Sequence, residues 1–183
     1  MGAGLLVEFG GLPGTGKSTL ARRLAVDTAA VWLRIDEIEG ALRRNGLTAA
    51  QTGVAAYSVA HDIAASHLRR GLTVIADAVN PVAEARAGWC ALAEAAGSRH
   101  VVIETVCPDS AEHRRRVETR PADLPGWSYP DWSEVRRAVA AYQPRTDDRL
   151  VVDTTRAADE SYGAILDHLG PAGRGRGPRP GAA

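Results

Sequence analysis

Residues Gly11-Leu12-Pro13-Gly14-Thr15-Gly16-Lys17-Ser18 have the types and spacing that phosphate binding requires. They match Gly-x-x-x-x-Gly-Lys-Ser/Thr in full, directly after an apolar run and at the start of a helical pattern. Gly11, Gly14 and Gly16 let successive backbone N–H groups curl around oxyanions in conformations that other residues resist. The start of the helix adds a partial positive charge beneath them. Lys17 is the only lysine in the chain and is placed to reach the β- and γ-phosphates of a nucleoside triphosphate. The Ser18 hydroxyl is placed to ligate Mg²⁺, and Thr15 and Thr19 complete the cradle. ATP and Mg²⁺ are the expected cofactors.

Motors, GTPases and transporters also carry such a loop, so the remaining polar residues must distinguish the classes. Arg34-Ile35-Asp36 closes the second apolar run, and strand alternation sets Trp32, Arg34 and Asp36 on one side. Ligands of open α/β sheets lie beyond the carboxyl ends of the strands, which puts Asp36 opposite the γ-phosphate. There it can orient an acceptor hydroxyl and take its proton; capping a helix that begins at Glu37 is the alternative. Arg34 is a candidate substrate contact beside it. Ile75-Ala76-Asp77 closes the third run, and Asp77 is expected to hold Mg²⁺ directly or through water, or else to bind substrate. Asn80, just beyond, is a further substrate candidate.

Arg116 and Arg120 share one helical face and can stabilise charge on a phosphoryl group in flight. A solvated helix paired with Glu112, Glu118 and Asp123 is the competing picture, and Arg114 and Arg115 read as surface. Trp127, Tyr129 and Trp132 cluster where a substrate wall or a lid should be, with Trp127 the candidate acceptor contact. Packing of the lid onto the body explains them equally well. His61 is either a substrate contact or an ordinary helix-surface histidine.

The elements that must position these residues follow from hydrophobic patterning. Apolar runs at Leu5–Phe9, Val31–Ile35, Thr73–Ala76, His100–Val106 and Leu150–Asp153 alternate with longer helical stretches. Short, nearly continuous apolar strands between helices indicate a parallel sheet covered on both faces, a three-layer α/β/α domain. Helices are expected from the phosphate loop to about Thr28, and over 48–70, 83–96, 110–119 and 133–142, with a loop over 121–130. Residues 1–169 form one domain, with a lid over about 112–143. The Gly/Pro/Arg tail over 170–183 cannot bury enough apolar surface to offset its ordering entropy, so disorder is expected there.

Twenty-two basic residues balance 22 acidic ones, which argues against a dedicated nucleic-acid binder. Cys90 and Cys107 read as small buried hydrophobes, and no His/Cys/Asp/Glu group has metal-ligand spacing. No apolar run approaches a membrane span, and no basic leader precedes the first strand, so the chain reads as cytoplasmic.

Taken in order, Gly-Leu-Pro-Gly-Thr-Gly-Lys-Ser-Thr, Arg-Ile-Asp-Glu-Ile, Gly-Leu-Thr-Val-Ile-Ala-Asp-Ala-Val-Asn, Arg-Arg-Val-Glu-Thr-Arg and Val-Val-Asp-Thr-Thr resemble a known group. It is the small P-loop kinases related to chloramphenicol phosphotransferase and to the kinase domain of polynucleotide kinase. The resemblance spans about Leu5 to Leu169. It implies the P-loop NTPase fold, with five strands ordered 2-3-1-4-5, a mobile lid, and ATP-dependent phosphorylation of a hydroxyl. By the same likeness Asp36 is the general base, Arg116 and Arg120 are lid arginines, and Thr154, Thr155 and Arg156 adjoin adenine. Polynucleotide kinases carry a basic residue soon after the base; here Glu37, Ile38 and Glu39 follow, and the first arginine is Arg43.

The function expected first is an ATP-dependent kinase acting on a small hydroxyl compound: a metabolite, a nucleoside or an antibiotic, the last implying resistance. A polynucleotide 5′-hydroxyl kinase and an ATP-binding regulator that transfers nothing are the alternatives. A motor is disfavoured because Ala78, not a catalytic glutamate, follows Asp77.

Overall fold

Alternation along β1 (Leu5–Gly10) shows how the sheet is built. Leu5, Val7 and Phe9 enter one apolar cluster, while Leu6 enters another on the opposite face. A strand buried on both faces belongs in the middle of a parallel sheet. The computed structural model describes residues 3–173, and in it β1 is the central strand. It lies between β3 (Thr73–Asp77) and β4 (Arg99–Val106), with β2 (Val31–Arg34) and β5 (Leu150–Asp153) at the edges. All four pairings are parallel, and the order is β2-β3-β1-β4-β5, as the resemblance implied.

One face is covered by α1 (Lys17–Thr28) and α7 (Ala158–Leu169), through Leu20, Leu24, Tyr162 and Ile165. The other is covered by α3 (Ala49–Leu68) and α4 (Ala83–Ala95), with α2 (Ile35–Arg44) alongside. Ala56, Ala60 and Ala64 are fully buried at helical spacing, so α3 packs its backbone close to the sheet. Thr48 and Gln51 close a capping box at its start. Trp89 of α4 is the largest fully buried side chain.

A second polar layer runs under β1. Glu8, 1% exposed, accepts from Asn80 Nδ2 at 2.8 Å and from Arg145 at 3.4 Å, and lies 3.0 Å from His100 Nε2. At the far end of the sheet, Arg99 N donates to Gly4 O at 3.0 Å and Arg99 Nη1 to Leu169 O at 3.2 Å.

The expected elements are present, with four differences. β2 stops at Arg34 because Ile35 already opens α2, whose Ile35, Ile38 and Leu42 face the core at helical spacing. Helix α7 was not anticipated. Cys107 is buried, but Cys90 is exposed on α4. Gly170–Gly173 forms a 3₁₀ turn rather than a disordered start to the tail; residues 174–183 lie outside the described residues. The region between β4 and β5 comprises α5 (Ser110–Thr119), a loop through Pro121–Pro130, and α6 (Trp132–Ala141).

Candidate active site

The phosphate loop links β1 to α1 under tight steric limits. Gly11 has φ +129, and a Cβ there would lie 2.4 Å from the carbonyl oxygen of Thr105. Gly14 and Gly16 also have positive φ, of 85 and 88. Thr15 Oγ1 donates to Leu12 O at 2.8 Å and meets Thr105 Oγ1 at 2.8 Å, pinning the loop to β4.

Lys17 is buried, at 4% exposure, in the first turn of α1. Asp77 ends β3 at 2% exposure, and neither of its carboxylate oxygens meets a hydrogen-bond donor in full geometry. Burial pushes the Asp77 carboxyl up, while the Lys17 ammonium and the nearby Ser18 hydroxyl pull it back and the charge of Asp36 adds to the rise. A buried carboxylate without a partner, next to Ser18, is a donor set that suits a divalent cation. Among the described residues no cluster of three or more His, Cys, Asp or Glu could hold a metal by itself. A cation here would rely on Ser18, Asp77, water and phosphate oxygens.

Helix α5, in the segment expected to form a lid, packs against the loop. His113 Nε2 donates to Pro13 O at 2.7 Å, and its ring packs edge-on against Trp132 of α6 at 5.3 Å. Arg116 Nη1 and Nη2 donate to Thr154 Oγ1 at 2.9 Å and Thr154 O at 2.8 Å, beyond β5. Hydrogen bonds from Arg115 and Arg116 hold the Glu112 carboxyl down at about 2.

The lid loop is tied to β2. Arg34, 3% exposed, donates to Asp123 at 2.8 and 3.4 Å and to the Tyr129 hydroxyl at 2.8 Å. That hydroxyl also bonds to Asp123. Although burial works against it, the Asp123 hydrogen bond holds the Arg34 guanidinium above its ordinary value. The Arg34 bond holds Asp123 down at about 2, and burial, together with Asp123, lifts Tyr129 to about 12. Arg120 stacks on the Tyr129 ring at 3.5 Å.

A cleft of about 740 Å³ joins these parts. Gly14, Gly16, Lys17, Ser18 and Thr19 line it from the phosphate loop, Arg116 and Arg120 from the lid, and Trp32 and Arg34 from β2. The structure thus gathers most of the expected residues.

Several others are placed differently. Asp36 lies in the first turn of α2, half-buried, so strand alternation with Trp32 and Arg34 does not reach it. It does not line the cleft, though its charge bears on Asp77 and on Tyr57. Arg34, not Asp36, occupies the N-cap position of α2. Asn80 is fully buried: its Oδ1 accepts from Tyr57 at 3.1 Å and Trp89 at 3.2 Å, and its Nδ2 donates to Glu8. With both ends of its amide engaged, Asn80 supports the core and is not placed as a substrate contact. Trp127 packs under Arg43, at 4.7 Å, and against Gly40 of α2. It joins the lid to the body and lies outside this cleft. Thr155 turns away to Asp153, at 2.7 Å, whereas Thr154 and Arg156 line the cleft. His61 packs against Trp89 at 4.2 Å, away from the cleft. Arg115, read as surface, lines the cleft with a largely exposed side chain. Sequence reasoning missed His113 and gave Asp123 only the role of a surface partner. A histidine one loop away in space but 100 residues away in sequence leaves no local signal.

A family model described as an AAA domain matches residues 6–150, and the chain belongs to that family. No curated protein matched the sequence. Among solved structures, the chain is similar to the Mycobacterium tuberculosis APS kinase CysC in complex with AMPPNP and APS. That likeness has 22% identity, covers 92% of this chain and 99% of that one, and gives a TM-score of 0.70. A gluconokinase from Sinorhizobium meliloti 1021 is similar at 16% identity, 91% coverage of each chain and a TM-score of 0.64. Kti12 from Chaetomium thermophilum, in complex with ADP-AlF3, is similar at 16% identity, with 90% and 99% coverage and a TM-score of 0.67. At these identities the likeness establishes the shared fold. Among the described residues no helix is long and apolar enough to cross a membrane.

Proposed function

We propose that the chain is an ATP-dependent kinase that phosphorylates a hydroxyl of a small molecule. The observation that carries this is the buried Asp77 carboxylate, without a hydrogen-bond partner, beside Lys17 and Ser18 of an intact phosphate loop. Such a group is costly to bury unless a cation completes it. Ser18 and Asp77 would hold Mg²⁺, which when bound neutralises phosphate charge. The backbone N–H groups of Gly14–Ser18 and the Lys17 ammonium hold the β- and γ-phosphates. Arg116 and Arg120 line the same cleft and would offer charge to the moving phosphoryl group, Arg116 after leaving Thr154.

In this reading the acceptor hydroxyl oxygen forms a bond to the γ-phosphorus as the bond to the β–γ bridging oxygen breaks. ADP leaves with that oxygen and its electron pair, and the hydroxyl proton passes to Asp36. APS and gluconate kinases share this fold and act on small molecules, which agrees with the proposal. The resemblance to chloramphenicol phosphotransferase makes an antibiotic one candidate acceptor and a nucleic acid a weaker one. Asp36 is followed by Glu37 and Glu39, and Arg43 is already paired with Glu39 at 2.6 Å. A cytoplasmic site of action fits a consumer of ATP.

The test is a transfer screen with γ-labelled ATP and Mg²⁺ against pools of sugars, hydroxy acids, nucleosides, antibiotics and 5′-hydroxyl oligonucleotides. Label on a small-molecule pool, abolished by Lys17→Ala, is the expected result. Label on oligonucleotides alone would move the reading to a polynucleotide kinase. Nucleotide-dependent lid closure without any labelled product would move it to a regulator.

A further inference from the structure

The lid loop lays one of its own carboxylates on a buried cation. Arg34 donates to Asp123 from both terminal guanidinium nitrogens, Nη1 at 2.8 Å and Nη2 at 3.4 Å, in the fork geometry that arginine offers to carboxylate, phosphate or sulfate. Arg120 stands 3.9 Å from the same carboxylate. Arg34 and Trp32 line the cleft, and each carries a buried N–H donor without an acceptor, Arg34 Nε and Trp32 Nε1.

The charge balance of the cleft is one-sided. Asp123 is the only acidic residue among its described lining, against Lys17 and six arginines. The nucleotide phosphates account for those near the phosphate loop, but not for Arg34. β2 is two strands from β1, a lateral distance of about 10 Å, so Arg34 lies outside the cradle. A buried cation beyond the triphosphate, met by two half-exposed carboxylates, Asp123 of the lid loop at 2.8 Å and Glu37 of α2 at 3.7 Å, has the form of a subsite filled from within.

We propose that Arg34, assisted by Arg120, is the anion subsite of the phosphoryl acceptor. The acceptor is then an acidic hydroxyl compound bearing a carboxylate, phosphate or sulfate, and Asp123 fills its place until it arrives. This inference rests on the kinase reading for the word acceptor, while the subsite itself is testable without turnover.

Sulfate binding, followed by calorimetry in saturating Mg·ADP so that the phosphate loop is occupied, measures the subsite directly. Arg34→Gln should weaken sulfate binding by about tenfold or more. Asp123→Asn should tighten it several-fold by removing the internal competitor. Glu118→Gln, which removes an exposed acid paired with Arg114, should leave it unchanged. Arg34→Lys, which keeps the charge but loses the fork, guards against misfolding and should fall between wild type and Arg34→Gln. Asp123→Asn binding sulfate no more tightly than wild type would overturn the inference, as would equal affinity in Arg34→Gln. In the transfer screen, hydroxy acids should outperform their neutral methyl esters, with the preference lost in Arg34→Gln. Equal turnover of acid and ester would sink the subsite and leave the kinase reading standing. Failure to bind Mg·ADP would count against the kinase reading alone, and sulfate titration of Lys17→Ala protein would then decide the subsite.

Discussion

His113 Nε2 donates to the carbonyl oxygen of Pro13 at 2.7 Å, so the lid helix is bonded to the phosphate loop itself. The same ring packs on Trp132, which carries the connection on to α6. A change in the loop therefore reaches α5 through His113 and through Val117, which lies beside Gly14.

Gly14→Ala tests that coupling. The new Cβ would lie 2.6 Å from Val117 Cγ2 and 3.2 Å from His113, on a residue with φ +85. Backbone strain of about 1–3 kcal/mol adds to the displacement of α5. The expected result is a lower melting temperature together with ATP affinity reduced by about tenfold or more. A nucleotide titration beside a thermal melt measures both, and unchanged ATP affinity would show that α5 does not act on the cradle.

Asp36→Asn should lower kcat by roughly 10²- to 10⁴-fold while ATP affinity changes little, the scale of a positioned proton acceptor. Its place in the first turn of α2, outside the nucleotide cleft, is why binding should survive. An equal loss of ATP affinity would make Asp36 structural.

Asp77→Asn should separate stability from metal binding. Burial raises the folded-state value of Asp77 above its ordinary 3.8. A carboxyl raised in this way costs stability once pH exceeds the unfolded value, and the cost is complete above the folded value. Without nucleotide, the variant should gain stability relative to wild type as pH rises from about 4. With Mg·ATP the wild type should gain the larger increase in melting temperature. Melts across pH, with and without Mg·ATP, decide it; a pH-independent difference would contradict the burial argument.

The Arg34–Asp123 latch should have the opposite sign. Asp123 is held at about 2, below its ordinary 3.8, so its contribution is complete above that ordinary value and is lost as pH falls through about 2. The wild-type advantage over Asp123→Asn in acid unfolding should therefore shrink below pH ~4. Tryptophan fluorescence can follow it, since Trp127 lies in the lid loop. An advantage that persists at the lowest pH would show that the latch is not the source.

Local chemistry made the phosphate loop legible, because Gly11, Gly14 and Gly16 are needed for backbone reasons that the sequence displays directly. The strands were legible because a parallel sheet buried on both faces leaves continuous apolar runs. Helix α7 carried its signal in Tyr162, Ile165 and Leu169, an i, i+3, i+7 stripe that was legible and was passed over. The end of β2 was misread by a turn, since Ile35 satisfies the alternation of a strand and the face of a helix alike. Asn80 and Trp127 were not legible. Each is defined by partners far away in sequence: Asn80 by Tyr57, Trp89 and Glu8, and Trp127 by Gly40 and Arg43. Asp123 was visible only as a charge, and nothing near it in sequence points to the buried arginine 89 residues away.

Arg99 bonds Gly4 on one side and Leu169 on the other, so the first strand and the last helix meet at one rim of the sheet, opposite the cleft. Within the described residues, Gly4 and Leu169 are thus joined through a single arginine. A short synthetic bridge between these two positions would circularise the domain without crossing the cleft, and a new opening could be cut elsewhere. A permuted chain opened in the loop between α5 and α6 would carry its new termini beside Arg34, a ready place to attach a reporter of that loop's movement.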